Sequence, residues 1–406
     1  MEILFITHKY PPSIGGMEKQ SFELTQGMKK HARVHLLCCD GSESKVRFFW
    51  SLKSRIREKL KQHPGISILH FNDGLAASFC SDEHDFPGLV RSVTVHGLDV
   101  VFPNAFFQRK ILPRFRHFQS LIAVSQATAQ ACIDRGLNPE KITVIPNGVD
   151  HEIATYQPDA TAHQAFLDQY GSILGGKKTL ILMGRPVLRK GFSWFLNAVF
   201  PQLPADFQVL IIGPFRETRP FSAYLLDCLP TDFRKQIELM FGMPSDEDRL
   251  RIVLKSPELQ GRVRHLGRLP FTDIMQIMSA SHAFLMPNIP VQGDMEGFGL
   301  VCIEANLRGL PVFASNLEGI TDAVQDQKNG WLLAANDSAA WLNALDVLKQ
   351  DPEFVRHFGV QARQYVLENF GWEKMTAAYF HHFNNKLGCN NRPAQAKVSL
   401  KSLNSL

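Results

Sequence analysis

Twelve short, almost wholly apolar runs punctuate the chain, at 3–7, 33–39, 67–71, 91–96, 120–125 and 142–147, and again at 179–184, 207–213, 263–267, 282–287, 310–315 and 330–334. Each is too short for a stable helix and too evenly apolar for a strand with one wet face. This is the pattern of strands buried on both sides, as in a parallel sheet. Between the runs apolar residues return at helical spacing: Leu121, Val124 and Ala127 lead into one such stretch, and Met275, Ile277 and Met278 lie in another. Strand–helix alternation of this kind predicts α/β architecture with doubly wound sheets. The alternation occurs twice, and 406 residues are enough for two Rossmann-like domains with a full core each.

The join is expected between 150 and 177, where Pro158, Gly171, Gly175 and Gly176 interrupt the pattern. The predicted division is 1–155 and 156–371, then a helix over 372–387 and a frayed, periodicity-poor tail over 388–406. Hydrophobic residues at 45% and charged residues at 20% exclude a disordered or fibrous chain. The excess of 44 Lys and Arg over 39 Asp and Glu is too small to imply a nucleic-acid partner, though it suits a protein that visits anionic surfaces. Seven scattered Cys without a C-x-x-C pair are neither a disulfide framework nor a zinc site, and fit a reducing cytosol. The first residues, Met1-Glu2-Ile3-Leu4-Phe5-Ile6-Thr7, lack a basic leader, and no apolar run approaches the roughly 18 residues of a membrane span. A cytoplasmic protein is the expectation.

Four segments carry chemistry. The first strand runs into Pro11-Pro12-Ser13-Ile14-Gly15-Gly16, a glycine pair between strand and helix that lets backbone approach a phosphate. The most specific is Glu296-Gly297-Phe298-Gly299-Leu300 continuing to Glu304: two carboxylates with seven residues between them and a small-residue loop that opens a helix. Free N–H groups at that helix start could hold a diphosphate, the deeper acid could accept from ribose hydroxyls, and the loop acid could face a sugar. The third is Gly184-Arg185-Pro186-Val187-Leu188-Arg189-Lys190-Gly191 after a strand. There Arg185 and Lys190 suit a leaving diphosphate that gains charge in the transition state, and Arg189 reads as an ordinary surface base. The fourth is His96-Gly97 at the end of a buried strand, where α/β proteins bind ligands, although a lone His is more often structural.

Together with Val144-Ile145-Pro146-Asn147-Gly148-Val149-Asp150, these segments resemble, in order and spacing over about 3–372, the retaining glycosyltransferases of family 4. The resemblance implies the GT-B fold, two Rossmann-like domains facing across a cleft, with the acceptor on the first and the nucleotide on the second. It implies that Gly15 and Gly16 approach the donor phosphates and that Arg185 and Lys190 neutralise the leaving diphosphate. Glu296 contacts the donor sugar, Gly297 lines the donor site, Phe298, Gly299 and Leu300 offer backbone amides to it, Glu304 holds the ribose, and His96 lies beside the reacting sugar. The final helix packs back on the first domain. The implied reaction moves a hexose-type sugar, with retention, from a UDP- or GDP-sugar to a glycan or lipid-linked acceptor in bacterial polysaccharide or lipopolysaccharide synthesis. The chain departs from the family pattern at Phe71-Asn72-Asp73-Gly74 and in 317–322, which lacks the frequent Gly-Gly and Pro. A sugar-nucleotide epimerase on the same fold, or a non-catalytic nucleotide-sugar-binding partner, are the alternatives.

No cofactor or essential metal is expected. Asp246-Glu247-Asp248 matches D-x-D, but behind Ser245 it also reads as a helix N-cap with acids at the positive end of the dipole. The stretch 45–61 holds seven basic residues and one acid, with Phe48, Leu52, Ile56 and Leu60 four apart. It reads either as a domain helix with its stripe on the sheet or as an amphipathic helix on anionic lipid. A second basic, aromatic stretch at 106–116 adds to the latter.

Overall fold

A computed structural model describes residues 1–39, 41–215, 224, 226–241, 243 and 245–390. All twelve apolar runs are strands. β1 (Glu2–Thr7), β2 (Arg33–Cys38), β3 (Ile66–Phe71), β4 (Val90–Val95), β5 (Ser120–Ala123) and β6 (Ile142–Val144) form one parallel sheet in the order β2-β1-β3-β4-β5-β6. β7 (Lys178–Met183), β8 (Phe207–Ile212), β9 (Val263–Gly267), β10 (Ala283–Met286), β11 (Val312–Ser315) and β12 (Trp331–Leu333) form the second, in the order β12-β11-β10-β7-β8-β9. Crossover connections require the helices to lie on the sheet faces, which is why the central strands are buried on both sides while the edge strands β2, β6, β9 and β12 are only partly so.

Strand order reverses direction between β1 and β3 in the first sheet and between β7 and β10 in the second. At such switch points the loops leave the sheet on opposite faces and open a crevice at the carboxyl ends of the strands. The two crevices place the chemistry described below.

The helix Lys45–Gln62 buries Phe48, Leu52 and Ile56 completely in the first core, so its stripe faces the protein rather than lipid. Trp50 and Val46 point outward, 88% and 69% exposed. On the opposite face of that sheet the helix Trp372–Asn390 lays Met375, Tyr379 and Phe383 against Ile3, Phe5 and Ile68. It runs on past Leu387, and residues 391–406 of the tail lie outside the described residues. The chain passes between the lobes twice, side by side: a Cβ on Gly148 would fall within 2.6 Å of the Gly371 and Trp372 backbone, and His151 Nε2 bonds the Phe370 carbonyl. No helix among the described residues is long and apolar enough to cross a membrane.

Candidate active site

β7 ends in the loop 184–191, which wraps over the end of β10. Gly191 makes this approach possible. Its φ is 65°, and a Cβ there would stand 1.9 Å from the Pro287 carbonyl oxygen. The loop delivers Lys190 to Glu296, Nζ to Oε2 at 2.9 Å. Arg189 reaches the same oxygen at 3.4 Å and Asp294 Oδ2 at 3.5 Å. Asn288 Nδ2 lies 3.5 Å from Glu296 Oε2. Burial by itself would raise the Glu296 carboxyl, but the Lys190 and Arg189 charges outweigh it and hold it down at about 2. Arg189 is therefore no surface base: its side chain is only 18% accessible. Arg185 is the exposed member of the three, within electrostatic reach of Glu18, Glu296 and Asp294.

The loop is also gripped from outside. Ser245 Oγ accepts from the Leu188 N–H at 2.9 Å, and the Asp246 N–H donates to the Pro186 carbonyl at 2.9 Å. The Asp246 carboxylate, with no exposed surface, accepts from Ser193 Oγ at 2.6 Å and from the Ser193 N–H at 3.0 Å. Neither side chain caps the helix Glu247–Val253 that follows. Ser245 and Asp246 instead brace the cation loop and the start of the helix Phe192–Ala198, a correction to the cap reading that contact across the fold alone decides.

The helix Leu300–Leu307 begins after Gly299. Phe298 turns its ring into the core against Phe370, 6.0 Å between centroids. Glu304, one turn in, is half-buried beside Lys19 and Asp150. Burial pushes its carboxyl up to about 7, with Lys19 opposing the shift and Asp150 adding to it. The first lobe meets this helix directly, since a Cβ on Gly16 would sit 3.2 Å from Leu300 Cδ1. Gly15 precedes the helix Gly16–Met28, and its Cβ would run into the Glu18 carboxylate. Gly297 packs on the His96 carbonyl, 2.1 Å from where its Cβ would be. The His96 ring bonds the Asn72 carbonyl through Nε2 at 2.8 Å, and the backbone N–H of His96 donates to Asp99 Oδ1 at 2.8 Å. Segments far apart in sequence thus converge on one cleft, with His96 meeting the loop at Gly297 through its backbone and its Nε2 turned to the first lobe.

Two acidic groups escape a reading by motif. Glu318 bonds the Glu296 N–H. At the first switch point, His8 at the end of β1 pairs with buried Asp73 after β3, Nδ1 to Oδ1 at 2.8 Å. The other Asp73 oxygen accepts from Thr7 Oγ1 at 3.0 Å. Burial opposes the Asp73 charge, but His8 and two backbone N–H groups hold the carboxyl at about 2. A His one residue beyond a buried strand was the signal available for this pair.

Residues 166–365 match the model of the glycosyl transferases group 1, and residues 14–153 that of glycosyltransferase family 4. The chain belongs to this family. The phosphatidyl-myo-inositol mannosyltransferase of Mycobacterium leprae is 30% identical over 166 residues, 40% of this chain and 42% of that protein. WcaL of Salmonella typhimurium, named for colanic acid biosynthesis, is 29% identical over 315 residues, 75% of this chain and 66% of that protein. The aligned part spans about half or less of the first two curated relatives, 42% and 52% of their lengths. Among solved structures, Anabaena HepE in complex with UDP superposes with a TM-score of 0.70 at 18% identity, over 95% of this chain and 100% of that one. WaaG, a glycosyltransferase involved in lipopolysaccharide biosynthesis, gives 0.57 at 15% identity, over 94% and 99%. These likenesses establish the GT-B fold.

Proposed function

We propose that the chain is a retaining glycosyltransferase that moves a hexose-type sugar from a UDP- or GDP-sugar to a glycan or lipid-linked acceptor, in the assembly of a bacterial surface polysaccharide or lipopolysaccharide. The observation that carries the reading is the Arg189–Lys190–Glu296 cluster, whose acid lies in the loop that leads into the helix Leu300–Leu307. Cations there surround an ionised acid just ahead of a helix start, where the first N–H groups lack intrahelical partners. Solved relatives of this fold hold UDP and UDP-glucose, and curated relatives include a GDP-mannose-dependent mannosyltransferase.

In this reading the diphosphate lies on the N-terminus of the helix Leu300–Leu307, with Lys190 and Arg185 toward it and Glu304 on the ribose. The C1–O bond to phosphate breaks and its electron pair goes to the diphosphate. The acceptor oxygen bonds to C1 from the same face, and its proton passes to a donor phosphate oxygen. Gly15 and Gly16 leave backbone room for the phosphates, and His96 borders the sugar through its chain. No metal is required, because the cations supply the neutralising charge. The acceptor binds the first lobe, at the switch point that holds His8 and Asp73. A cytoplasmic location and contact with an anionic membrane belong to the same proposal. The second is supported by outward Trp50 and Val46 on the basic helix Lys45–Gln62 and by exposed Phe106. Charge reversal at Arg55, Arg57 and Lys59 is expected to reduce pelleting with anionic liposomes.

A thermal-shift panel of UDP-, GDP- and ADP-sugars tests the donor. The matching donor at a hundred times its Kd raises stability by about 2.7 kcal/mol. Absence of a shift with every sugar nucleotide removes the proposal.

A further inference from the structure

Glu318 has no part in the reading above, yet it carries an unusual backbone conformation. It follows β11 with φ at 52°, a left-handed conformation that costs a side chain free energy and costs glycine none. The carboxyl it holds there is largely shielded. Burial raises it to about 7, the Glu296 N–H bond and Arg189 oppose that shift, and the charges of Glu296 and Asp294 add to it. Both features disfavour the folded state locally, and both disappear if the residue is glycine. A strained, charged side chain in a shielded place points to a contact that only it supplies.

That contact is with the backbone of Glu296. Its N–H donates to Glu318 Oε2 at 2.6 Å, while its carbonyl accepts from the Gly319 N–H at 3.1 Å. The two loops are pressed together closely enough that a Cβ on Gly319 would stand 2.0 Å from the Gly297 oxygen. The two peptide groups flanking the Glu296 Cα are therefore held by consecutive residues of one loop. With both fixed, the direction of the Glu296 side chain toward Lys190 is set by few remaining torsions.

We infer that Glu318 is a positioning residue: it orients Glu296 for the transferred sugar by clasping the Glu296 peptide. The inference rests on the donor-site reading. Glu318→Gly leaves the fold intact and relieves the backbone, so its melting temperature equals or exceeds that of the parent. Turnover falls nonetheless, by up to about 10²-fold in kcat, the scale of a 1 Å misplacement. Affinity for UDP or GDP alone is unchanged, since Glu318 holds neither phosphate nor ribose. Glu318→Gln recovers most of the turnover, because its amide oxygen still accepts the N–H.

The assay is release of nucleoside diphosphate from the sugar nucleotide that best stabilises the parent chain, by transfer to water, so that no acceptor is needed. Melting is followed in parallel. Parent-level kcat in Glu318→Gly overturns the inference alone. So does a loss of kcat that tracks a fall in melting temperature and is not restored by Gln. A parent chain that binds no UDP-, GDP- or ADP-sugar overturns the donor-site reading and the inference with it.

Discussion

Lys190 and Glu296 meet at 2.9 Å, Nζ to Oε2, from loops that follow β7 and β10, the two strands on either side of the switch point in the second sheet. The pair is little exposed, 12% and 13% at the side chains, so water screens it weakly. Its geometry depends on the ends of both strands at once; loss of Glu296 leaves the Lys190 charge shielded and unmatched, whereas loss of Lys190 leaves Glu296 with Arg189 at 3.4 Å.

Glu296→Ala is expected to lower kcat by about 10²–10³, or 2.7–4 kcal/mol of transition-state stabilisation, the range for removal of one preorganised charge or donor. Steady-state kinetics on the matching sugar nucleotide check this. The same carboxyl has an acid signature. Its value is held at about 2 against an ordinary 4.5, so its contribution to stability is present above 4.5 and lost as pH falls toward 2. Urea titrations across that interval should show a smaller loss for Glu296→Gln than for the parent.

Glu304 behaves in the opposite sense. Its carboxyl is raised to about 7 from 4.5, so the folded protein binds the proton more tightly than the unfolded chain. Stability from this group is greatest below 4.5 and declines as pH rises through 7. A ribose hydroxyl donates best to the ionised form, so donor affinity should strengthen as pH passes 7. Calorimetry of sugar-nucleotide binding at several pH values is the measurement. Glu304→Gln should flatten the profile, and Glu304→Ala should raise the donor KM with kcat changed less. Glu318 titrates in the same range, so the Glu318→Gln profile identifies which acid is responsible.

Asp246→Ala should cost about 1–3 kcal/mol, since it strands buried donors at Ser193. The cation loop loses one of its braces, so a higher donor KM should accompany the lower urea midpoint. Asp246→Asn keeps one acceptor oxygen and should fall between the two. Equal donor KM in all three proteins would show that the brace serves folding only.

The same contacts argue about metal. Asp246 has no exposed surface and is committed to Ser193, which leaves Asp-Glu-Asp unable to present its first acid to an ion without breaking the loop. EDTA is expected to leave turnover unchanged. Turnover abolished by EDTA and restored by Mn²⁺ would refute this.

The strands and the basic helix were legible in the chain because burial on both faces, or along one stripe, imposes a period on neighbouring residues. All twelve apolar runs are strands, the central ones buried on both faces, and Phe48, Leu52 and Ile56 lie inward. The motif positions were legible too, as glycines and charges at strand ends. Which charge meets which was decided elsewhere. That Arg189 rather than the exposed Arg185 joins Lys190 at Glu296, that Asp246 turns to Ser193, that His8 finds Asp73 and that Glu318 clasps Glu296 all depend on contacts between separate crossovers. Local periodicity reports how deep a residue lies but not its partner across the sheet edge. Strand order, and the two switch points it creates, supplied that information.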